Sequence, residues 1–242
     1  MFTINLSLVV LFHGTIIECQ YHKAFELKTA GDYDAAYQVY ALLAGYKDVD
    51  NIMESDENIA AAAWRAQFMP GNIVSFGSYE QDNDISNGAE FIEWIVLEND
   101  GNSCTLISKY ALECRPYNEY RASISWESCT LRKWLNGEFV NVAFTAEERD
   151  IIDKEVYLLS IDEVRTLFND DNARQCQATA YAKAHGAYVA NSGSSMWWLR
   201  SSGLTDDRAA VVYCNGSMFN PKGYYVDSDT EVVRPVISLR IA

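Results

Sequence analysis

Residues suited to recognition crowd the stretch from Ser202 to Val232: Asp206, Asp207, Arg208, Tyr213, Asn215, Phe219, Asn220, Lys222, Tyr224, Tyr225, Asp227 and Asp229. Gly203, Gly216 and Gly223 punctuate them. Tyr213, Phe219, Tyr224 and Tyr225 sit among polar neighbours rather than in apolar runs. Antibody-like loops have this composition: Tyr supplies contact area at low entropy cost, and Ser, Asn and Gly supply adaptable hydrogen bonding. The segment therefore reads as a ligand-contact surface on a rigid support. The competing reading is an ordinary Tyr-rich hairpin with partial burial.

Residues suited to bond-making chemistry are sparse. The six Cys (Cys19, Cys104, Cys114, Cys129, Cys176, Cys214) form no C-x-x-C pair, and with three His they give no zinc-ligand spacing. They read as buried thiols, with one or two disulfides open if the protein is exported. The run Asp227-Ser228-Asp229-Thr230-Glu231 has oxygen ligands for a hard cation but lacks the Gly of a calcium loop, so it reads as a solvated acidic turn. Calcium-dependent sugar readers use Glu-Pro-Asn or Gln-Pro-Asp triplets, and the nearest pattern here is the reversed pair Asn220-Pro221. No catalytic residue, metal or cofactor is assigned.

Elements that would hold such a surface flank it. In Ser195-Met196-Trp197-Trp198-Leu199-Arg200-Ser201, adjacent Trp residues on a strand point to opposite faces, which predicts a strand buried on both sides. Val233-Arg234-Pro235-Val236 supplies the second anchor. Arg200 and Arg234 lie among apolar residues, where a guanidinium must be partnered, and ion pairs are expected for both. Trp94, Trp126 and Trp134 read as core.

Toward the N-terminus, Leu6 to Phe12 has the length of a signal-peptide hydrophobic region and is too short for a membrane span. Without a preceding Lys or Arg, residues 1–20 read equally as an export signal or as an N-terminal helix or strand. Apolar positions at Tyr21, Ala24, Phe25 and Leu27, a break at Gly31-Asp32, and Ala35, Ala36, Val39, Tyr40, Leu42 and Leu43 predict a helical hairpin over residues 21–69, with a third helix from Asn58 to Phe68. Ala30 to Tyr37 with Tyr46-Lys47-Asp48 resembles part of a tetratricopeptide unit, which needs a neighbour to cover its apolar face. Met69-Pro70-Gly71 marks a boundary.

Strands follow at Ile73–Tyr79, Phe91–Leu97 and Cys104–Ser108, the last two joined by a turn containing Asp100-Gly101. Helices are predicted from Thr130 past Gly137, from Thr145 to Ile152, from Ser160 to Phe168 and from Ala178 to His185. Thr145 with Glu148, and Ser160 with Glu163, form capping boxes. A chain of 242 residues, 49% hydrophobic and with four Pro, can bury a sizeable core. Its 19 basic and 34 acidic residues give a net charge of -15, which repels a phosphate backbone and argues against nucleic acid as a partner.

Several stretches together carry a resemblance: Phe76-Gly77-Ser78-Tyr79, Glu93-Trp94 with Val96-Leu97, Leu106-Ile107-Ser108-Lys109, Trp126-Glu127 with Leu131 to Asn136, Leu159-Ser160, Trp197 to Ser201 and Val233-Arg234-Pro235. Residues 70–242 thereby resemble an uncharacterised bacterial domain family of the C-type-lectin-like superfamily, on the formylglycine-generating-enzyme branch. The resemblance implies an α+β fold: a C-type-lectin-like domain preceded by the small helical hairpin. Some members are variable proteins of diversity-generating retroelements, whose C-terminal surface is rewritten by adenine-directed mutagenesis, and residues 202–232 match that place. Tyr213, Cys214, Asn215, Phe219, Tyr224, Tyr225 and Asp227 are products that rewritten Asn codons yield, whereas Met218, Lys222 and Glu231 are not. The chain departs from its relatives at Val232, where Gly is common before the Val-Arg-Pro triplet, and at Ser202, where Pro is frequent.

The function expected is non-catalytic binding of a protein or glycan ligand, of receptor or adhesin type, with a lean to an exported or cell-surface location. One alternative is an oxidoreductase like the formylglycine-generating enzymes, which would need Cys214 to meet Cys176; the iron motif of the sulfoxide-synthase relatives is not supplied by His13, His22 and His185. The other is a structural surface or virion scaffold domain.

Overall fold

The computed structural model describes residues 6–218 and 222–241, with side chains from residue 16 onward. N-terminal helices precede two β-sheets with interspersed helices, a mixed α+β architecture. The chain divides into two units, Met1–Phe68 and Met69–Ala242.

In the first unit, Gly31 takes φ 83° and Asp32 accepts a hydrogen bond from Ala35 N–H, ending α1 (Leu6–Thr29) and starting α2 (Tyr33–Ala41) at the predicted break. The segment before the third predicted helix is itself helical, as α3 (Val49–Ser55), and α4 (Glu57–Ala66) follows under an Asp56 cap. Asp56 also pairs with Lys28 at 2.7 Å, tying α4 to α1. Ala24, Ala36, Tyr40, Leu43, Val49 and Ile59 form this unit's own core. Phe25 and Leu42, expected on the apolar face, are instead 53% and 77% exposed. The inward face is filled instead by Ala24 from α1 and by Ala36 and Tyr40 from α2. Residues 1–5 lie outside the described residues, and among the described residues no helix is long and apolar enough to cross a membrane.

The second unit is built on two sheets. The first runs β1 (Ile73–Tyr79), β2 (Glu90–Asn99), β3 (Ser103–Ser108) and β9 (Val236–Arg240), all antiparallel. The Asp100 carboxylate accepts from Asn102 and Ser103 N–H at 2.9 and 2.7 Å, and Gly101 takes φ 89°, so the predicted hairpin turn is made by these residues. The second sheet has the order β4 (Glu113–Cys114), β8 (Val232–Val233), β5 (Trp197–Ser202), β6 (Arg208–Val212) and β7 (Tyr224–Tyr225).

Short helices fill the chain between β4 and β5. α5 (Thr130–Trp134) continues through a π-helical turn, Leu135–Phe139, into α6 (Val140–Ala143). α7 (Ala146–Ile151) and α8 (Ile161–Leu167) begin at the two predicted capping boxes, both formed. α9 (Asp171–Arg174) was not legible in the sequence, and α10 (Ala180–Ala184) starts at Thr179 and is followed by Gly186 at φ 104°.

Trp197 and Trp198 are fully buried on opposite faces of β5. The Trp197 indole donates to Arg174 O at 3.1 Å and the Trp198 indole to Arg115 O at 3.0 Å, so each ring fills an apolar layer and satisfies its one polar atom. Trp94, Trp126 and Trp134 are also buried. Arg200 makes the expected ion pair, with Glu163 at 2.6 Å. Arg234 does not: it is 1% exposed, donates to Ser108 O at 2.9 Å, and its guanidinium lies over the Trp197 and Phe168 rings, with no carboxylate partner among the described residues. A backbone carbonyl and two aromatic faces replace the carboxylate, which avoids desolvating a second charge.

Two further expectations need correction. The stretch 202–232 is not surface throughout, because β6 carries Ala209, Ala210, Val211 and Val212 into the core. The acidic run 227–231 is not wholly solvated either: Asp227 and Asp229 are exposed, but Glu231 is fully buried, adjoining the buried strand β8.

Candidate functional site

Beyond β6 the chain folds into a tight turn. Gly216 N–H donates to Tyr213 O at 2.7 Å, Tyr213 N–H to Ser217 O at 3.0 Å, and Ser217 N–H to the Asn215 side chain at 3.1 Å. Gly216 takes φ 81°, and a Cβ there would fall 1.6 Å from Asp171 O. The turn is thus pressed against the start of α9 with no room for a side chain. Arg174 at the end of α9 donates from Nε to Gly216 O at 2.9 Å, while its own carbonyl receives the Trp197 indole. A buried Trp therefore fixes α9, and α9 fixes the turn.

Tyr213, Asn215 and Ser217 on this turn line a cavity of about 740 Å³ with Tyr188, Ala190, Met196, Cys214, Tyr224 and Thr230. Tyr213 and Tyr224 meet with ring centroids 6.1 Å apart. Both are half-buried, and Tyr188 is 52% exposed. The Tyr188 loop is held from the other side by Tyr188 N–H donating to Thr230 O at 3.0 Å and Ala190 N–H to Ser194 O at 2.9 Å. Burial, with the Glu231 carboxyl as a lesser cause, pushes the Tyr224 phenol up, and burial pushes the Cys214 thiol up. The wall accordingly offers neutral hydroxyl, amide and thiol groups beside aromatic faces.

Four of the other predicted contacts are occupied within the protein. Asp207 pairs with Arg121 at 2.9 Å and accepts from Thr205 at 2.6 Å; Asp206 accepts from Ser123 at 2.6 Å. The Arg121 and Arg208 guanidiniums lie over the Tyr225 ring, and their hydrogen bonding lowers the pKa of its phenol. Arg208 also donates to Gly223 O at 3.0 Å. Asp206, Asp207, Arg208 and Tyr225 thus latch the 202–208 and 222–226 segments onto residues 121–124. Close approach is possible because a Cβ on Gly223 would lie 2.2 Å from Ala209 O, and one on Gly203 2.7 Å from Lys222 O. Lys222, Asp227 and Asp229 are exposed outside the cavity. Phe219 and Asn220 lie outside the described residues.

Of the predicted residues, the cavity gathers Tyr213, Asn215 and Tyr224. Sequence reasoning missed Tyr188, Ala190, Met196, Ser217 and Thr230. Tyr188 carried a signal of the same kind as the others, a Tyr between Gly186 and Gly193, but it lies before the Trp pair and so outside the stretch under attention. All six Cys are free. Cys176 is buried with its thiol toward Lys109 O and Gln177 O, whereas Cys214 is on the cavity wall. The carboxylates of Glu80, Asp82 and Glu90 lie within 4.8 Å of one another, with Asp82 and Glu90 taken up by amides of their own loop.

A family model described as a domain of unknown function (DUF6273) matches residues 101–155 and 151–241, a span that includes every residue lining the cavity. No curated protein and no solved structure matches the chain.

Proposed function

We propose, for a chain that belongs to the DUF6273 domain family, that it is a non-catalytic, receptor- or adhesin-type protein that captures a protein or glycan ligand at the Tyr213–Tyr224 cavity. The observation that carries this is the turn 213–217, whose side chains face the cavity while its backbone is fixed by the chain of bonds from Trp197 through Arg174 to Gly216. A preformed surface of this kind loses little ordering entropy on binding, so little backbone change accompanies capture.

The finer fold reading is part of the same proposal. Residues 70–242 form a C-type-lectin-like domain with a variable region at 202–232, and residues 21–69 a tetratricopeptide-like helical element. In support, the C-terminal strand β9 returns to the first sheet, and the ligand face is carried by loops of the short-stranded second sheet. The cavity residues Tyr213, Cys214, Asn215 and Tyr224 are all products that rewritten Asn codons yield. A reverse-transcriptase gene beside this one, with an imperfect repeat of the 202–232 coding segment, is the expected genomic companion. A locus with neither removes the diversification part and leaves the binding part standing.

Capture is tested by panning the purified chain against displayed peptides and arrayed glycans. Wild-type protein is expected to retain specific ligands that Asn215→Ala and Tyr188→Ala variants lose; retention unchanged by both overturns the site. The second reading, the formylglycine-generating-enzyme-like oxidoreductase, needs Cys214 to meet Cys176; Cys214 lies on the cavity wall, whereas the Cys176 thiol is turned to Lys109 O and Gln177 O. Copper titration of the reduced protein separates the two, since stoichiometric uptake lost in Cys214→Ser supports the oxidoreductase and its absence supports the binding protein.

A further inference from the structure

A second cavity, of about 750 Å³, opens between β4, α5, the π-helical turn and α10, and shares no residue with the one above. Its floor is an ordered polar network. Glu113, 4% exposed, accepts from the Tyr79 hydroxyl at 3.0 Å through one oxygen and from Cys114 N–H at 2.9 Å through the other, which also lies 3.2 Å from His185 Nδ1. The carboxylate thereby sets the imidazole's orientation and leaves Nε2 for other partners. The Tyr181 ring, edge-on with centroids 4.1 Å apart, holds the imidazole from the side.

The charges around this floor do not pair with one another. Arg115 lies over the Trp134 ring at 4.6 Å, and Lys133, Glu119 and Glu138 complete the wall. Neither cation meets a carboxylate within ion-pair distance, nor either carboxylate a cation, among the described residues. Glu138 is carried by the π-helical turn, a local departure that concentrates at functional positions because it re-aims the side chains of a helix. Arg115 and Lys133 face the cavity beside Glu113, Glu119 and Glu138, so the wall presents both signs of charge.

We propose that this cavity binds a small zwitterion, a free amino acid or short peptide, with its carboxylate on Arg115 and Lys133 and its ammonium on Glu119 and Glu138. A ligand of both signs satisfies both sets at once, whereas a simple anion meets repulsion from Glu113, Glu119 and Glu138 and a simple cation from Arg115 and Lys133. The cavity has room for such a ligand.

The test follows the Trp134 indole N–H and His185 imidazole resonances of the isotope-labelled full chain during titration with glycylglycine, acetate and ethylammonium. Glycylglycine is expected to shift both saturably, with half-saturation at least about tenfold lower than either singly charged probe. Arg115→Ala and Glu138→Gln should each weaken it by about tenfold or more. If Arg115→Ala fails to fold, Glu138→Gln at an exposed position carries the test alone. Absence of a saturable shift overturns the proposal, and acetate binding as well as glycylglycine replaces it with a plain anion site.

Discussion

Replacing Gly216 by Ala tests the brace most sharply, because the structure fixes what the new methyl group meets. A Cβ at this position lies 1.6 Å from Asp171 O and 2.5 Å from Asp171 C, against a floor of 3.0 Å for real Cβ contacts, so the turn or α9 must retreat by at least 1.4 Å, the difference between 3.0 and 1.6 Å. Such a retreat breaks the 2.9 Å bond from Arg174 to Gly216 O. The left-handed backbone at φ 81° adds a penalty of about 1–2 kcal/mol. Overpacking costs about 1–3 kcal/mol. Relaxation of the turn relieves part of this, leaving a loss of about 3 kcal/mol. For a unit of this size each kcal/mol lowers Tm by about 2–4 °C, so differential scanning calorimetry should show a fall of about 6–12 °C in the transition of the β-rich unit. Gly137→Ala is the control: nothing lies within 4 Å of its Cβ, and its φ is not positive, so Tm should hold or rise slightly. A Gly216→Ala transition within about 1 °C of wild type would refute the claim that the turn is clamped.

Three further outcomes follow. Trp197→Phe removes the indole donor from Arg174 O and should cost about 1–3 kcal/mol in chemical denaturation, with weakened ligand retention from the loosened turn; unchanged stability and retention would mean the indole bond anchors nothing. Glu231 is fully buried, neither carboxyl oxygen meets a hydrogen-bond partner, and burial holds its pKa above the ordinary carboxylate range. The folded state therefore keeps this proton longer than the unfolded one, and the group's contribution falls as pH rises through the window between the two pKa values. Glu231→Gln should gain stability over wild type as pH is raised above about 4.5, measured by thermal melts; a difference independent of pH would contradict this. Glu163 has the opposite sign: burial would raise its pKa, but Arg200 and the Ser160 N–H outweigh it and hold it low. Its contribution is present above the ordinary carboxylate range and lost as pH falls through the depressed value, so the destabilisation by Glu163→Gln should shrink on acidification in the same melts.

Local rules made much of the fold readable. Capping boxes at Thr145 and Ser160, the Asp100-Gly101 turn and the Gly31-Asp32 break each depend on a few adjacent residues, and each forms as predicted. The Trp197-Trp198 pair announced a strand buried on both faces because adjacent large rings leave no polar face. What escaped depends on distant partners. Arg234 donates to Ser108 O, more than a hundred residues away, and no local pattern distinguishes it from Arg200. The polar flanks of Ala209 to Val212 masked a core strand that is defined by pairing with β5. Composition found Tyr213, Asn215 and Tyr224 in the candidate site, yet could not separate them from Asp206, Asp207, Arg208 and Tyr225, since recognition surfaces and intramolecular latches use the same residue types. Tyr188 and Thr230 reach the cavity only through tertiary pairing of their two loops.

If the Trp-braced frame is independent of the cavity wall, the cavity's side chains can be changed while the frame holds. Measuring Tm and ligand retention together on a Tyr188→Ala/Tyr213→Ala/Asn215→Ala triple variant tests it most directly. Every ligand retained by wild type should be lost, with the transition of the β-rich unit kept cooperative and lowered by no more than about 8 °C, as for two partly exposed rings. An unfolded variant, or a folded one that still retains those ligands, contradicts it.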